Sequence, residues 1–244
     1  MSHETSVALI TGAARRVGRA IALELARAGC DIAVHFNRSE DQARSLAEEI
    51  RRLNRRSHLI QADLNLPDSW PGIVHQAVEA LGTVDILVNN AAVFHEMDLA
   101  DFELEQWDHV FRVNVTAAAA LCRHAWPHLR RRGCGKIINL ADISANQPWS
   151  THLAYCASKA ALVSLTRALA KSLAPDVCVN AVSPGIAVFP EAYGADTRAK
   201  LISQVPLRRP GTSEDVAKTV RFLCIEAGYI TGQVINVDGG RSIV

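Results

Sequence analysis

Short apolar runs recur through this chain, and each is followed by a segment of helical periodicity. The candidate strands are Val7–Thr11, Asp31–Phe36, His58–Leu64, Asp85–Asn89, Lys136–Leu140, Val177–Val182 and Val234–Val237. Most are continuous rather than alternating, which suits strands buried on both faces of a parallel sheet. The segments between them, about 16–29, 40–54, 68–81, 104–132, 152–174 and 213–226, read as helices. Strand–helix alternation of this kind predicts a doubly wound α/β sheet, with right-handed crossovers placing helices on both faces. No linker, fixed-period repeat or low-complexity segment divides the 244 residues, so one domain is expected.

Composition removes several classes of function. Hydrophobic residues make up 49% and charged residues 21%, which excludes disorder. Lys and Arg number 26 against 25 for Asp and Glu, a net charge of +1. That balance gives no footing for nucleic acid or for a membrane surface. No apolar run approaches the roughly 20 residues that span a bilayer. Met1–Thr5 carries no basic leader, and Val7–Ile10 is too short for a signal core, so a cytosolic protein is expected. The six cysteines are widely spaced without a CxxC pair, and reduced, packing cysteines are expected. The nine histidines form no zinc pattern, so no metal is expected.

Thr11-Gly12-Ala13-Ala14-Arg15-Arg16-Val17-Gly18 follows the first strand and opens the first helix. Gly12 allows a tight turn, Gly18 allows close helix–strand packing, and the helix N-terminus can meet a pyrophosphate. A dinucleotide is the expected ligand. The second strand ends His35-Phe36-Asn37-Arg38-Ser39, without the carboxylate that would bind a ribose 2′-hydroxyl. Arg38 can hold a 2′-phosphate by charge and fork geometry, with Ser39 adding a hydroxyl, so NADPH is expected. The bland alternative makes Arg38 a solvated turn residue. Asp63, in Ala62-Asp63-Leu64 at the end of the third strand, can accept from an adenine amino group or simply start a loop. Asn89-Asn90-Ala91-Ala92 ends the fourth strand, where a ring system would lie.

Tyr155 and Lys159 stand four apart in a helical segment and share a face. An ammonium near a phenol favours the phenolate and lowers the Tyr pKa, which couples a proton donor to a residue that tunes it. Asp142 ends the fifth strand 13 residues upstream, and Asn114 lies in the long helix before it.

This set resembles the short-chain dehydrogenase/reductase family over essentially the whole chain. The resemblance rests on the glycine turn, Asn89-Asn90-Ala91, Asn114, Tyr155-Cys156-Ala157-Ser158-Lys159, Pro184-Gly185 and Thr231-Gly232…Val237-Asp238-Gly239-Gly240. It implies a Rossmann-like domain with a seven-stranded parallel sheet and often a homotetramer. Tyr155 would be the proton donor, Lys159 would bind the nicotinamide ribose, and Asn114 would anchor a water of the proton relay. Val17, Asn37, Leu64, Asn90, Ala91, Pro184 and Gly185 would complete the cofactor site.

Two departures are similar to the pteridine reductase branch: Arg16 where the family usually has Gly, and Asp142 where it usually has Ser. That likeness implies that Phe94 sandwiches a pterin against the nicotinamide and that Arg16 reaches the pterin or a cofactor phosphate. Asp142 would hydrogen-bond the Tyr155 hydroxyl. The plainer alternatives are a core-plugging Phe94, a surface Arg16 and an Asp142 that caps a helix. Ala92 stands where the branch carries Ser. A substrate loop is expected over about 186–212, against an idle excursion. The expected activity is NADPH-dependent reduction of dihydropterins, dihydrofolate or oxidised biopterin. The rivals are a ketone reductase and a silent NADPH-binding protein.

Overall fold

The computed structural model describes residues 5–189 and 193–244. Met1–Glu4, read above for a leader, and residues 190–192 of the expected substrate loop lie outside them. Seven strands form one parallel sheet: β1 (Val7–Ile10), β2 (Asp31–Phe36), β3 (Ser57–Gln61), β4 (Ile86–Asn89), β5 (Gly135–Leu140), β6 (Val177–Pro184) and β7 (Val234–Val237). Their order is β3-β2-β1-β4-β5-β6-β7. The order reverses between β1 and β4, where neighbouring crossovers leave in opposite directions and a crevice opens at the carboxyl ends.

The continuous apolar runs are explained by the two cores. Every residue of β1, β2, β4 and β5 is buried. On one face α1 (Arg16–Arg27), α2 (Glu40–Arg52) and α8 (Ser213–Ile225) cover Ala8, Ile10, Ile32 and Val34. On the other, α3 (Trp70–Leu81) and α5 (Ala117–Leu129) cover Val7, Leu9, Leu87 and Ile137. The remaining helices are α4 (Leu104–Phe111), α6 (Leu153–Leu173) and α7 (Ala195–Ser203). Among the described residues no helix is long and apolar enough to cross a membrane.

Three sequence expectations need correction. β3 ends at Gln61, so Asp63 and Leu64 fall in the loop beyond it rather than in the strand. The expected helix over 104–132 is α4 and α5 joined by a π turn, Arg112–Thr116, and closed by a 3₁₀ turn, Arg130–Arg132. The long stretch after β6 is not all loop, because α7 forms within it. Its turn is amphipathic only weakly, and no residue of α7 is buried, so hydrophobic periodicity gives little signal there.

Candidate active site

The glycine turn is shaped by close approach. Gly12 has φ +62°, the left-handed region. A Cβ on Gly18 would stand 2.3 Å from the Gly12 carbonyl oxygen and 2.6 Å from Asn90 Nδ2, contacts that no side chain tolerates. The turn is fastened across the switch point to the end of β4. Thr11 Oγ1 accepts from the N–H groups of Asn90 and Ala91 at 2.9 and 3.0 Å. Asn90 Nδ2 donates to the carbonyls of Thr11 and Gly12 at 2.8 and 3.1 Å.

A further brace comes from His35, whose role the sequence did not reveal. Its Nδ1 accepts from the Gly12 N–H at 3.2 Å, so Nε2 carries the proton and donates to the Ala62 carbonyl at 3.2 Å. Burial lowers its pKa to about 4, so the imidazole stays neutral.

A cleft of about 730 Å³ opens beside this turn. Gly12, Arg16, Val17 and Gly18 line it, with Asn37, Arg38 and Ser39 after β2. Asp63 and Leu64 after β3, Asn90 and Ala91 after β4, and Tyr155 complete the expected set that it gathers. Ser39 precedes α2 but makes no side-chain capping bond, which leaves its hydroxyl to the cleft. Arg38 is exposed beside it. Asp63 Oδ1 accepts from the Asn65 N–H at 2.9 Å, so it does start the loop. Arg16 holds φ +51°, which costs an arginine about 1 kcal/mol over glycine.

Pro184 and Gly185 close β6 outside the lining of the cleft. Gly185 is needed for packing, since a Cβ there would meet Asp238 Cβ at 2.8 Å. His95 and His109 also line the cleft, with ring centroids 6.1 Å apart, and neither was singled out by the sequence.

The catalytic candidates converge on α6. Tyr155 Oη donates to Asp142 Oδ2 at 3.0 Å, while Asp142 Oδ1 accepts from the Ser144 N–H at 2.8 Å. Asp142 therefore caps a 3₁₀ turn with one oxygen and holds the phenol with the other. Lys159 is buried, and its Nζ donates to the Leu140 carbonyl at 2.6 Å and sits 5.6 Å from the centre of the Tyr155 ring. Burial lowers Lys159 to about 8, partly offset by Asp142.

Tyr155 moves the other way from the sequence expectation. Burial, followed by the charge of Asp142, pushes its pKa well above the ordinary value. The Asp142 carboxylate adds to burial in opposing the phenolate.

Asn114 lies in the π turn. Its Oδ1 accepts from the Val93 N–H at 2.9 Å, and its Nδ2 donates to the Val93 carbonyl and to Ser158 Oγ at 3.1 and 3.0 Å. Ser158 Oγ in turn donates to the Tyr155 carbonyl at 2.7 Å. Asn114 thus ties the segment after β4 to the first turns of α6.

Phe94 leaves that segment and reaches the catalytic residues. It is 43% exposed, meets Tyr155 edge to face at 4.8 Å, and stacks on His152 at 4.4 Å. Trp149 lies nearly parallel to Tyr155 at 6.4 Å. The buried Nε2 of His152 and Oγ of Ser144 have no partner among the described residues. No group of three or more His, Cys, Asp or Glu that could hold a metal occurs among the described residues.

Similarity to known proteins agrees with this geometry. The family described as enoyl-(acyl carrier protein) reductase matches residues 12–242. The 3-oxoacyl-[acyl-carrier-protein] reductase FabG of Staphylococcus epidermidis is 37% identical over 237 residues, which cover 96% of this chain and 97% of that protein. Two solved structures superpose with TM-scores of 0.92. One is a blue fluorescent protein from a metagenomic library in complex with NADPH, 32% identical and covering 99% of both chains. The other is FolM alternative dihydrofolate reductase 1 from Brucella canis complexed with NADP, 33% identical and covering 98% of this chain and 94% of that one. A seven-stranded sheet with the glycine turn at its switch point, Tyr155 and Lys159 on one helix, and similarity along nearly the whole length place this chain in the short-chain dehydrogenase/reductase family of nicotinamide-dependent oxidoreductases.

Proposed function

We propose that this oxidoreductase uses NADPH to reduce the pyrazine ring of pteridines, dihydropterins or dihydrofolate foremost. The residues present fit the cofactor. The cradle between Gly12 and Gly18 admits a pyrophosphate where any Cβ would block the turn. Arg38 and the uncapped Ser39 hydroxyl suit a 2′-phosphate, and Lys159 suits the nicotinamide ribose. When bound, the nicotinamide supplies the hydride. The protein residues then have to place the ring, hold a proton and balance charge.

The hydrogen bond from Tyr155 to Asp142 carries the choice of substrate. Ketone reduction develops negative charge on oxygen, which a carboxylate beside the proton donor disfavours. Reduction of a C=N bond is helped by a proton on nitrogen, and the same carboxylate favours that positive charge. Tyr155 holds its proton at Oη, where Asp142 accepts it, and the hydroxyl delivers that proton by turning from the carboxylate to the ring nitrogen. The Lys159 ammonium, anchored on Leu140, offsets the phenolate left by donation. Phe94, edge-on to Tyr155, offers an aromatic surface against a flat ring. Arg16 offers donors for the acceptor edge of a pterin from a backbone conformation unfavourable to it. FolM, a dihydrofolate reductase by name, lends support to this reading. A cytosolic setting, and the homotetramer that the family resemblance implies, belong to it as well.

A second reading, reduction of 3-oxoacyl thioesters or related ketones, is favoured by the identity with FabG. Replacing Asp142 by Ser separates the two. The pteridine reading expects Asp142→Ser to lose about tenfold or more in kcat/KM on dihydrobiopterin, while activity on a ketone is kept or rises. Equal loss on both substrates, or none on the pterin, contradicts it.

A further inference from the structure

A second cavity, of about 680 Å³, adjoins the catalytic cluster but shares no lining residue with the cofactor cleft. Trp149 is common to it and to the aromatic group around Tyr155: the indole stacks on Tyr155 at 6.4 Å and meets Phe94 edge to face at 6.3 Å. The same cavity is lined by two arginines, Arg208 and Arg241, and by Val244, with no acidic side chain among the described lining residues. The guanidinium of Arg241 has no ion pair or hydrogen bond with the described residues.

Both arginines are carried on braced backbone. Leu207 N–H donates to the Gly239 carbonyl at 3.1 Å, which joins the segment after α7 to the C-terminal turn. Gln147 Nε2 donates to the Ser242 carbonyl at 3.1 Å, and Asp238 accepts from Gly240 and Ser242 at 3.0 and 2.8 Å. Arg208 has φ +54°, a conformation that glycine or asparagine would adopt more readily. Its Nη1 donates to the Ser203 carbonyl at 2.7 Å, which fixes the direction of the head group.

We propose that this cavity is a subsite for the anionic tail of the substrate, an aromatic amide ending in carboxylates such as the benzoylglutamate arm of a folate. The assignment rests on the pteridine reading for the ring and extends it. A ring lying against Phe94 and Tyr155 can send its substituent past Trp149, with the aryl group on the indole and the carboxylates on the two guanidinium groups. The subsite gives the enzyme a preference for tailed over untailed pterins.

The test compares dihydrofolate with dihydrobiopterin in the wild type, Arg241→Gln and Arg208→Gln, all at low salt. The expected result is a fall of about tenfold per arginine in the ratio of kcat/KM for dihydrofolate to that for dihydrobiopterin, carried by KM. Added salt should narrow the gap in the wild type. If both substrates turn over and the ratio is unchanged in both variants, the subsite is wrong and the pteridine reading stands. If the wild type reduces neither, the ring assignment has failed, and p-aminobenzoylglutamate titrated against tryptophan fluorescence decides the subsite alone. Saturable quenching lost in Arg241→Gln supports it, and no quenching in the wild type overturns it.

Discussion

Asp142 does two jobs with two oxygens, and the sequence offered them as alternatives. One oxygen caps the turn after β5 and the other receives the Tyr155 hydroxyl. The cap holds the carboxylate still, which is what gives the second contact its direction. Tyr155→Phe keeps that backbone and removes only the proton at Oη. It is expected to bind NADPH with unchanged affinity, measured by nucleotide fluorescence, and to lose about 10²- to 10⁴-fold in turnover. Arg38→Ala is expected to do the reverse, weakening NADPH by about tenfold or more while NADH is unaffected. Equal effects on both nucleotides would remove Arg38 from a 2′-phosphate site. The residue types at these positions were readable from the sequence. Their charge balance was not, because it depends on burial: Lys159 lies under the ring of Tyr155, and Asp142 lies on its hydroxyl.

Elements meet at the switch point, and there the sequence was most informative. Gly12 and Gly18 announced a turn, and the structure shows what each glycine avoids. Gly18→Ala should force α1 away from the Gly12 carbonyl and the Asn90 amide. A loss of about 1–3 kcal/mol in denaturant unfolding is expected, together with weaker nucleotide binding. A variant as stable as the wild type would show that α1 can shift freely.

Other features of the elements were hidden. The π turn at Arg112–Thr116 has no sequence signature, yet it places Asn114 against Val93 and Ser158. α7 has no buried face for periodicity to report. α8, by contrast, starts on a motif local in sequence, Thr212 with Asp215 three residues on: Thr212 Oγ1 accepts from the Asp215 N–H and Asp215 accepts from the Thr212 N–H.

At the scale of the whole molecule, strand–helix alternation sufficed for a seven-stranded doubly wound sheet, because both faces of each central strand must be buried. It could not show that a buried histidine in β2 would support the first turn. His35 stays neutral in the folded protein until about pH 4, whereas in the unfolded chain it takes up a proton near its ordinary value of 6.5. Its contribution is therefore complete above about pH 6.5 and is lost as pH falls toward 4, roughly 3 kcal/mol over the window. Urea unfolding from pH 7 to pH 4.5 should show that fall, and His35→Gln should flatten it.

The central claim concerns the reacting bond. It is tested most directly by following NADPH oxidation by the wild-type enzyme with dihydrobiopterin, dihydrofolate and oxidised biopterin beside a 3-oxoacyl thioester and acetoin. The account predicts turnover on at least one of the ring compounds with kcat/KM at least about tenfold above any ketone. Turnover on the thioester or acetoin alone would contradict it, and would mean that a carboxylate at 142 accommodates ordinary carbonyl chemistry.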